Sequence, residues 1–343
     1  MIADPARILI IRRRAIGDCI VSMDVARALR ERWPAARIAF VVDRPGVEVV
    51  DGSEFVDEMV VYDRRDYSTG SVLGRVQATW KWFARLRALR PDLVVDLLGT
   101  PQTAVWTAWT RAATRVGPRR RKRSWAYNVL VEKEAVKRFA GERFLDWLRA
   151  LGIEPGPWRP HAPVAAQEAS ARMDDDLDGR PFVLLNANAT WPSRSWPAES
   201  FAALGKLLET RCEVRLAWAP GEEALRDRIV DASGGAVRAL PPTSIAELGA
   251  WASRADLVVS TDSGPKHLAV AMGTRTLTFF GSTDPRGWQP AGAEHRGLTH
   301  PVDCHPCDLL HCPVEGHPCL DALTPERVAA EVASMLDEGE RGG

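Results

Sequence analysis

The sequence predicts an α/β protein built from two parallel-sheet, Rossmann-like domains, and three observations predict it. First, short apolar runs such as Arg7–Ile11 (RILII), 93–97 (LVVDL) and 182–185 (FVLL) have the continuous hydrophobicity of strands buried on both faces. Second, these runs alternate with segments whose apolar residues recur at helical spacing, as Ile20, Val21, Val25 and Leu29 do. Third, a chain of 343 residues is too long for one ordinary core. A cluster of Pro155, Gly156, Pro157, Pro160 and Pro163 divides the alternation, so we place the domains at 1–164 and 165–343.

Taken in order, Arg7–Ile11 is the first strand, 12–18 a loop, 20–33 a helix closed by Pro34, and 37–42 the second strand. This βαβ opening lacks G-x-G-x-x-G, so it carries no dinucleotide fingerprint. A helix–strand pair is expected over 47–62, a helix over 76–89, a strand at 93–97 and a helix at 104–114. A short strand with a turn follows at 115–117, then a helix at 144–151. Past the linker come a strand at 182–185, a polar loop to 197, a helix at 198–208 and a strand at 213–218. Helices follow at 224–230 and at 245–252, the latter capped by Thr243 or Ser244. A last helix runs from Pro325 to about Leu336, and the tail DEGERGG is expected to be disordered. The acidic run Asp174–Asp175–Asp176 reads as a solvated helix end.

Composition narrows the function. The formal net charge is +0, so no global field draws the chain to nucleic acid or anionic lipid, and any such attraction is local. No apolar run approaches the ~18–20 residues of a membrane span. The chain starts straight into a strand followed by arginines, with no secretory pattern, so a cytoplasmic protein is expected.

The most informative stretch is 255–290. A strand at 257–259 leads into Thr261-Asp262-Ser263-Gly264-Pro265, then a helix over 266–272 ended by Gly273, a strand over 276–280 and a second polar loop at 281–285. The unpaired N–H groups at such a helix start make an anion site at the carboxyl edge of a parallel sheet. Local capping alone also accounts for the loop. However, Asp262, Ser263, Lys266 and His267 crowd a position that needs one cap.

The segment DSGPKHLAVAMGTRTLTFFGSTDP resembles the D-[ST]-G-x-x-H-L-A-x-A-x-G…FG-x-T-x-P signature of glycosyltransferase family 9, the ADP-heptose:lipopolysaccharide heptosyltransferases. The resemblance implies a GT-B fold, with two Rossmann-like domains facing a cleft and the last helix packing back on the first domain. It also implies an inverting transfer of heptose from ADP-heptose to a hydroxyl of lipopolysaccharide core or a related glycan. Donor residues carried over are Asp262, Ser263, Gly264, Pro265 and His267, with Glu222 and Glu223 toward the nucleoside. Lys266 stands at a position that varies in the family, either near the phosphates or facing solvent. Arg194, in RSWP, replaces the lysine of K-x-W-P, and arginine offers a bidentate phosphate contact that lysine lacks.

Gly17-Asp18 matches the family's N-terminal G-D pair, whose aspartate acts as general base. On the residues alone, Asp18 is equally an N-cap for a helix beginning near Cys19. A carboxylate at a helix start is ionised but a weak base, so proton transfer comes late in the reaction. The resemblance implies no metal for catalysis, since helix ends and basic side chains replace it. Cys304, Cys307, Cys312 and Cys319, with histidines interleaved, have spacing that encloses a structural zinc or simply packs as a loop.

The basic runs Arg12–Arg14 and Arg119–Arg123 place Arg12, Arg14 and Arg120 as attractors for an anionic glycolipid or glycan acceptor. Lys81-Trp82-Phe83 and Arg85 suggest an amphipathic helix dipping into the inner face of the cytoplasmic membrane. No nucleic acid partner is expected. Two other readings stay open: a GT-B transferase for another nucleotide sugar, and a catalytically silent nucleotide- or glycan-binding protein. Selective stabilisation by ADP ligands separates the first from the main reading, and turnover separates the second.

Overall fold

The computed structural model describes residues 4–13, 16–69, 71–132, 136–172 and 177–342, with side chains to residue 339. They form two compact units, Met1–Val164 and Ala165–Gly343. The run 174–176 lies outside the described residues.

In the first unit the strands are β1 (Arg7–Ile11), β2 (Arg37–Asp43), β3 (Glu58–Tyr62), β4 (Leu93–Asp96), β5 (Thr114–Pro118) and β6 (Val129–Val131). They pair in parallel in the order β3-β2-β1-β4-β5-β6. The second unit has β7 (Phe182–Asn186), β8 (Glu213–Ala217), β9 (Arg238–Ala239), β10 (Leu257–Thr261), β11 (Thr276–Phe279) and β12 (His295–Leu298). Its order, β12-β11-β10-β7-β8-β9, is the same doubly wound pattern. The order reverses between β1 and β4 in one sheet and between β7 and β10 in the other. Those reversals create the crevices where such sheets take ligands.

The central strands are apolar throughout because helices cover both faces of a parallel sheet. Ile8 to Ile11 and Leu257 to Val259 are fully enclosed. The strands missed in the sequence, β6, β9 and β12, are edge strands two to four residues long; β6 (VLV) is apolar but only three residues, and β9 and β12 carry little apolar signal.

Several helix limits differ from expectation for local reasons. The first helix spans Ile16–Arg32, one turn earlier than predicted, because Ile16 continues the Ile20 stripe at a spacing of four. Asp18 therefore lies inside the first helical turn and is not its cap. The helix expected over 104–114 is Pro101–Thr110, started by a Thr100/Thr103 capping box and stopped at Arg111 in the left-handed region (φ 57°). Ser244 and Glu247 form the capping box of helix Ile245–Arg254.

The last helix, Pro325–Gly342, runs through the tail expected to be disordered. Arg211 pairs with Asp337, and Arg296 binds Glu331 (3.0 Å) and Glu338 (2.6 Å), which anchors the final turns. Its apolar stripe, Val328, Val332, Met335 and Leu336, is enclosed in the second unit's core with Phe201 and Phe279.

Candidate functional site

At the second unit's reversal, three loops meet. Asn186, the last residue of β7, donates through Nδ2 to Ser260 Oγ (3.0 Å) and Ser263 Oγ (2.9 Å). This draws the end of β7 onto the loop after β10. Ser263 is thereby occupied, and its side chain does not cap helix Gly264–Ala271, which has Pro in its first turn. The first-turn N–H groups of that helix lack intrahelical partners by geometry, which is the arrangement suited to an anion at the sheet's carboxyl edge.

Asp262 is buried in the middle of this arrangement. Lys266 Nζ donates to its Oδ1 (2.6 Å) and to the Trp288 carbonyl (3.1 Å), while Thr283 Oγ1 donates to its Oδ2 (2.7 Å). Both carboxylate oxygens are thus engaged within the protein, and the pair ties the loop after β10 to the loop after β11. Burial by itself pushes the Asp262 carboxyl up, but the Lys266 ammonium, with Arg194 behind it, holds it below its usual value. Lys266 neither faces solvent nor reaches an open phosphate site. It is fully enclosed, with its ammonium 4.9 Å from the Phe280 ring centroid. Burial lowers its pKa, and Asp262 opposes the fall.

Arg194 lies on a short turn, Pro192–Arg194, that is fastened from below. Trp196 is buried against Phe201 and Phe279, and its Nε1 donates to the Leu323 carbonyl (2.9 Å). The Arg194 guanidinium lies over the Trp191 ring at 4.1 Å and approaches Asp262 at 3.7 Å. Its Nε is buried without a hydrogen-bond partner. Gly281 passes so close to this turn that a Cβ would sit 2.4 Å from the Ser193 carbonyl oxygen, so only glycine fits.

His267 is buried beside Trp288, with ring centroids 5.9 Å apart. Burial, reinforced by Lys266, holds its imidazole well below its ordinary value, so it is neutral at pH 7. Glu222 accepts from Asn188 Nδ2 and from the Ala219 N–H (3.0 Å), and burial raises its pKa. Asn188 in turn accepts through its carbonyl from Thr261 Oγ1 (2.5 Å). Asn186, Asn188, Thr283, Trp191 and Trp288 were not singled out from the sequence. The repeated asparagines directly after a buried strand were the available signal.

The cysteine connector serves this site in an unexpected way. His305 Nε2 hydrogen-bonds the Thr283 carbonyl (3.2 Å), His317 Nε2 the Ser193 carbonyl (3.0 Å), and Ser193 Oγ donates to the Leu309 carbonyl (2.5 Å). His305 and His317 therefore hold backbone of the site loops. Cys304, Cys307, Cys312 and Cys319 are free thiols; burial, and then the neighbouring thiols, push Cys319 up to about 11. Among the described residues no three His, Cys, Asp or Glu side chains stand together as a metal-holding group.

In the first unit, Arg12 at the end of β1 pairs with Asp18. Arg12 also donates from Nη1 to the Leu97 carbonyl (3.1 Å) and lies 4.7 Å from the Phe144 ring centroid. Arg12 is not the exposed acceptor attractor expected from the basic run, because it continues a fully buried strand and its guanidinium is drawn inward to Asp18. Arg13 is likewise buried, bound to Asp43 (2.8 Å) and Gln102 and set over Tyr62 at 4.3 Å. Arg14 lies outside the described residues. Arg120 is exposed, beside Arg119, which pairs with Glu132 (2.5 Å).

Two doubly wound units, one with an uncapped helix start beside an arginine and the other with a carboxylate in the first turn of the helix after β1, have the architecture of two-domain Rossmann-like transferases. The chain belongs to glycosyltransferase family 9 (heptosyltransferase), whose family model matches residues 79–317. It is 24% identical to lipopolysaccharide heptosyltransferase 1 of Pseudomonas aeruginosa, covering 96% of this chain and 98% of that protein. Among solved structures it resembles a family 9 glycosyl transferase from Veillonella parvula, at 19% identity and TM-score 0.79 with 97% of each chain covered. It also resembles E. coli heptosyltransferase WaaC with ADP-2-deoxy-2-fluoro heptose, at 21% identity and TM-score 0.74, covering 96% of this chain and 99% of that one. The fold is GT-B, and the protein is a glycosyltransferase.

Two outcomes follow from the buried charges. Lys266→Met strands the Asp262 carboxylate and destabilises the second unit by about 3–5 kcal/mol in urea unfolding, whereas Lys266→Met with Asp262→Asn recovers most of the loss. Stability also falls as pH drops below the ordinary histidine value of 6.5. His267 stays neutral when folded, so the unfolded chain binds the extra proton there. The slope attributable to this residue is at most about 1.4 kcal/mol per pH unit, and His267→Gln flattens it in urea titrations between pH 7.5 and 5.5.

Proposed function

We propose that the protein transfers heptose from ADP-heptose to a hydroxyl of lipopolysaccharide core or a related glycan, with inversion at the anomeric carbon. The observation that carries this reading is the second-unit site: an uncapped helix start at Gly264 beside Arg194, which holds an unpartnered buried Nε. That combination suits a departing diphosphate, because it supplies fixed dipoles and a guanidinium where negative charge builds up. The likeness to a heptosyltransferase solved with an ADP-heptose analogue supports the choice of donor.

In this mechanism Arg194 and the first-turn amides of Gly264, Lys266 and His267 hold the diphosphate, and Pro265 presets the turn. Ser263 orients the loop through Asn186. Asp262 acts through Lys266 and Thr283 to position it, and neutral His267 remains a donor toward phosphate or sugar. Glu222 closes the nucleoside side. Asp18 takes the proton from the acceptor hydroxyl, and Arg12 fixes the direction of its carboxylate. The arginine and helix end supply the charge that a divalent ion supplies elsewhere, so we infer that transfer proceeds without added metal. Arg120 serves the anionic acceptor, and the protein works in the cytoplasm, at the inner face of the membrane where a lipid-linked acceptor is found.

Asp18→Asn, assayed in chelator, should reduce transfer by roughly 10²–10⁴-fold while ADP binding is retained. Full activity in that variant overturns the base assignment. In a thermal-shift panel, ADP and ADP-heptose should raise the melting temperature where GDP, UDP and their sugars do not. Equal stabilisation by UDP or GDP ligands favours a transferase for another nucleotide sugar, and binding without turnover of any sugar favours the silent binding protein.

A further inference from the structure

The helix Val72–Ala88 turns a face outward that a folded interior would normally claim. Its Trp82 and Leu86 are buried, yet Val72 (68% exposed), Leu73 (67%), Val76 (47%) and Trp80 (63%) lie open along one side. Trp82, the centre of the segment expected to dip into a membrane, thus points inward while Lys81 and Arg85 stay exposed, and the exposed apolar stripe begins nearly three turns earlier. Val72, Val76 and Trp80 recur every four residues, so they form one line on the helix. Trp80 meets Trp109 edge-on at 6.4 Å, and Trp109 meets Phe83 at 5.0 Å, which broadens the line into an aromatic wall shared with helix Pro101–Thr110.

The helix that carries this wall has charged residues of one sign, although Asp63 and Asp66, on the turn before it, lie close to Tyr67, as Arg85 does. Over residues 71–111 the basic residues are Arg75, Lys81, Arg85, Arg87, Arg90 and Arg111, and the acids are Asp92 and Asp96. Asp92 keeps a partly exposed carboxylate but is engaged by backbone, and Asp96 is withdrawn from the surface. Asp92 accepts the backbone N–H groups of Ala6 and Arg7 (3.0 and 2.9 Å), and Asp96 is fully buried, accepting from Tyr127 (2.7 Å). In a chain of zero formal net charge this is a local positive field around exposed tryptophan and valine. No helix among the described residues is long and apolar enough to cross a membrane.

We propose that this wall docks the enzyme on an anionic phospholipid surface. Val72, Leu73, Val76 and Trp80 enter the headgroup–acyl boundary, and the arginines and Lys81 meet lipid phosphates. The proposal gives the lipid-linked acceptor of the reading above a route to the enzyme and rests on that reading for its purpose. Its test needs no acceptor, so the two can fail separately.

The full-length protein is sedimented with vesicles of phosphatidylcholine alone or mixed with phosphatidylglycerol. The wild type is expected to bind the mixed vesicles and to leave the neutral ones. The variant Val72→Ser/Val76→Ser/Trp80→Ser, altered only at exposed positions, should lose roughly 10-fold or more in partitioning while keeping its melting temperature. Lys81→Gln with Arg87→Gln should weaken binding and its salt sensitivity together. The idea is overturned if the wild type ignores anionic vesicles or if the triple variant binds as the wild type does. It is equally overturned if the stripe proves to be covered by a second copy, seen as a concentration-dependent dimer that the triple variant abolishes.

Discussion

A carboxylate enclosed by protein must meet a cation or give up its charge, and in the second unit this constraint organises the site. Asp262 sits where the sheet order reverses, one residue past β10, and Lys266 meets it one helical turn later. The spacing of four places both on the same side of the helix start. Thr283 then brings the loop after β11 to the same carboxylate, and Arg194 brings the turn after β7. Three loops that share no sequence neighbourhood are therefore referred to one buried charge. The helix start they surround has no side-chain cap, and the nearest hydroxyl, that of Ser263, is held by Asn186.

The two units use the same strand order for different chemistry. In each, the crevice at the order reversal receives residues from the carboxyl ends of two central strands. The second unit fills it with donors: amides, a guanidinium and a neutral imidazole. In the first unit, a carboxylate, Asp18, is held by an arginine at the end of β1, and Asp96 at the end of β4 is fully committed to internal hydrogen bonds. One architecture thus places hydrogen-bond donors at one reversal and an arginine-paired carboxylate at the other.

Much of this was legible in the sequence, and the illegible parts share physical causes. Buried central strands announce themselves because both faces must be apolar, so β1, β4, β7 and β10 were readable. Edge strands such as β9, with two residues, were not, since pairing with one neighbour needs no apolar run. Tail disorder was inferred from charge. The charges of Asp337 and Glu338 instead find Arg211 and Arg296, partners that lie far away in sequence. The basic run at Arg12 and Arg13 looked like a solvated face because composition does not reveal that a strand ends inside a core. Two of the histidines among the cysteines, His305 and His317, bond carbonyls of the site loops through their ring nitrogens, a use that no spacing rule encodes.

The cations of the site also show why residue type matters beyond sign. Arg12 lies against Phe144, Arg194 against Trp191 and Lys266 near Phe280, so each positive group is steered by an aromatic ring that takes no hydrogen bond from it. The two arginines can satisfy one partner and still present N–H groups: each has a buried Nε without a partner after its other contacts are made. Lysine has a compact ammonium, and Lys266 directs it to Asp262 and the Trp288 carbonyl within a sealed pocket. An arginine at position 266 would bring a planar fork into that enclosed space, and a lysine at 194 would lose the bidentate reach toward phosphate. The two cations therefore meet the same carboxylate in different ways: the Lys266 point charge holds the loop from inside, and the Arg194 fork approaches Asp262 from the turn after β7.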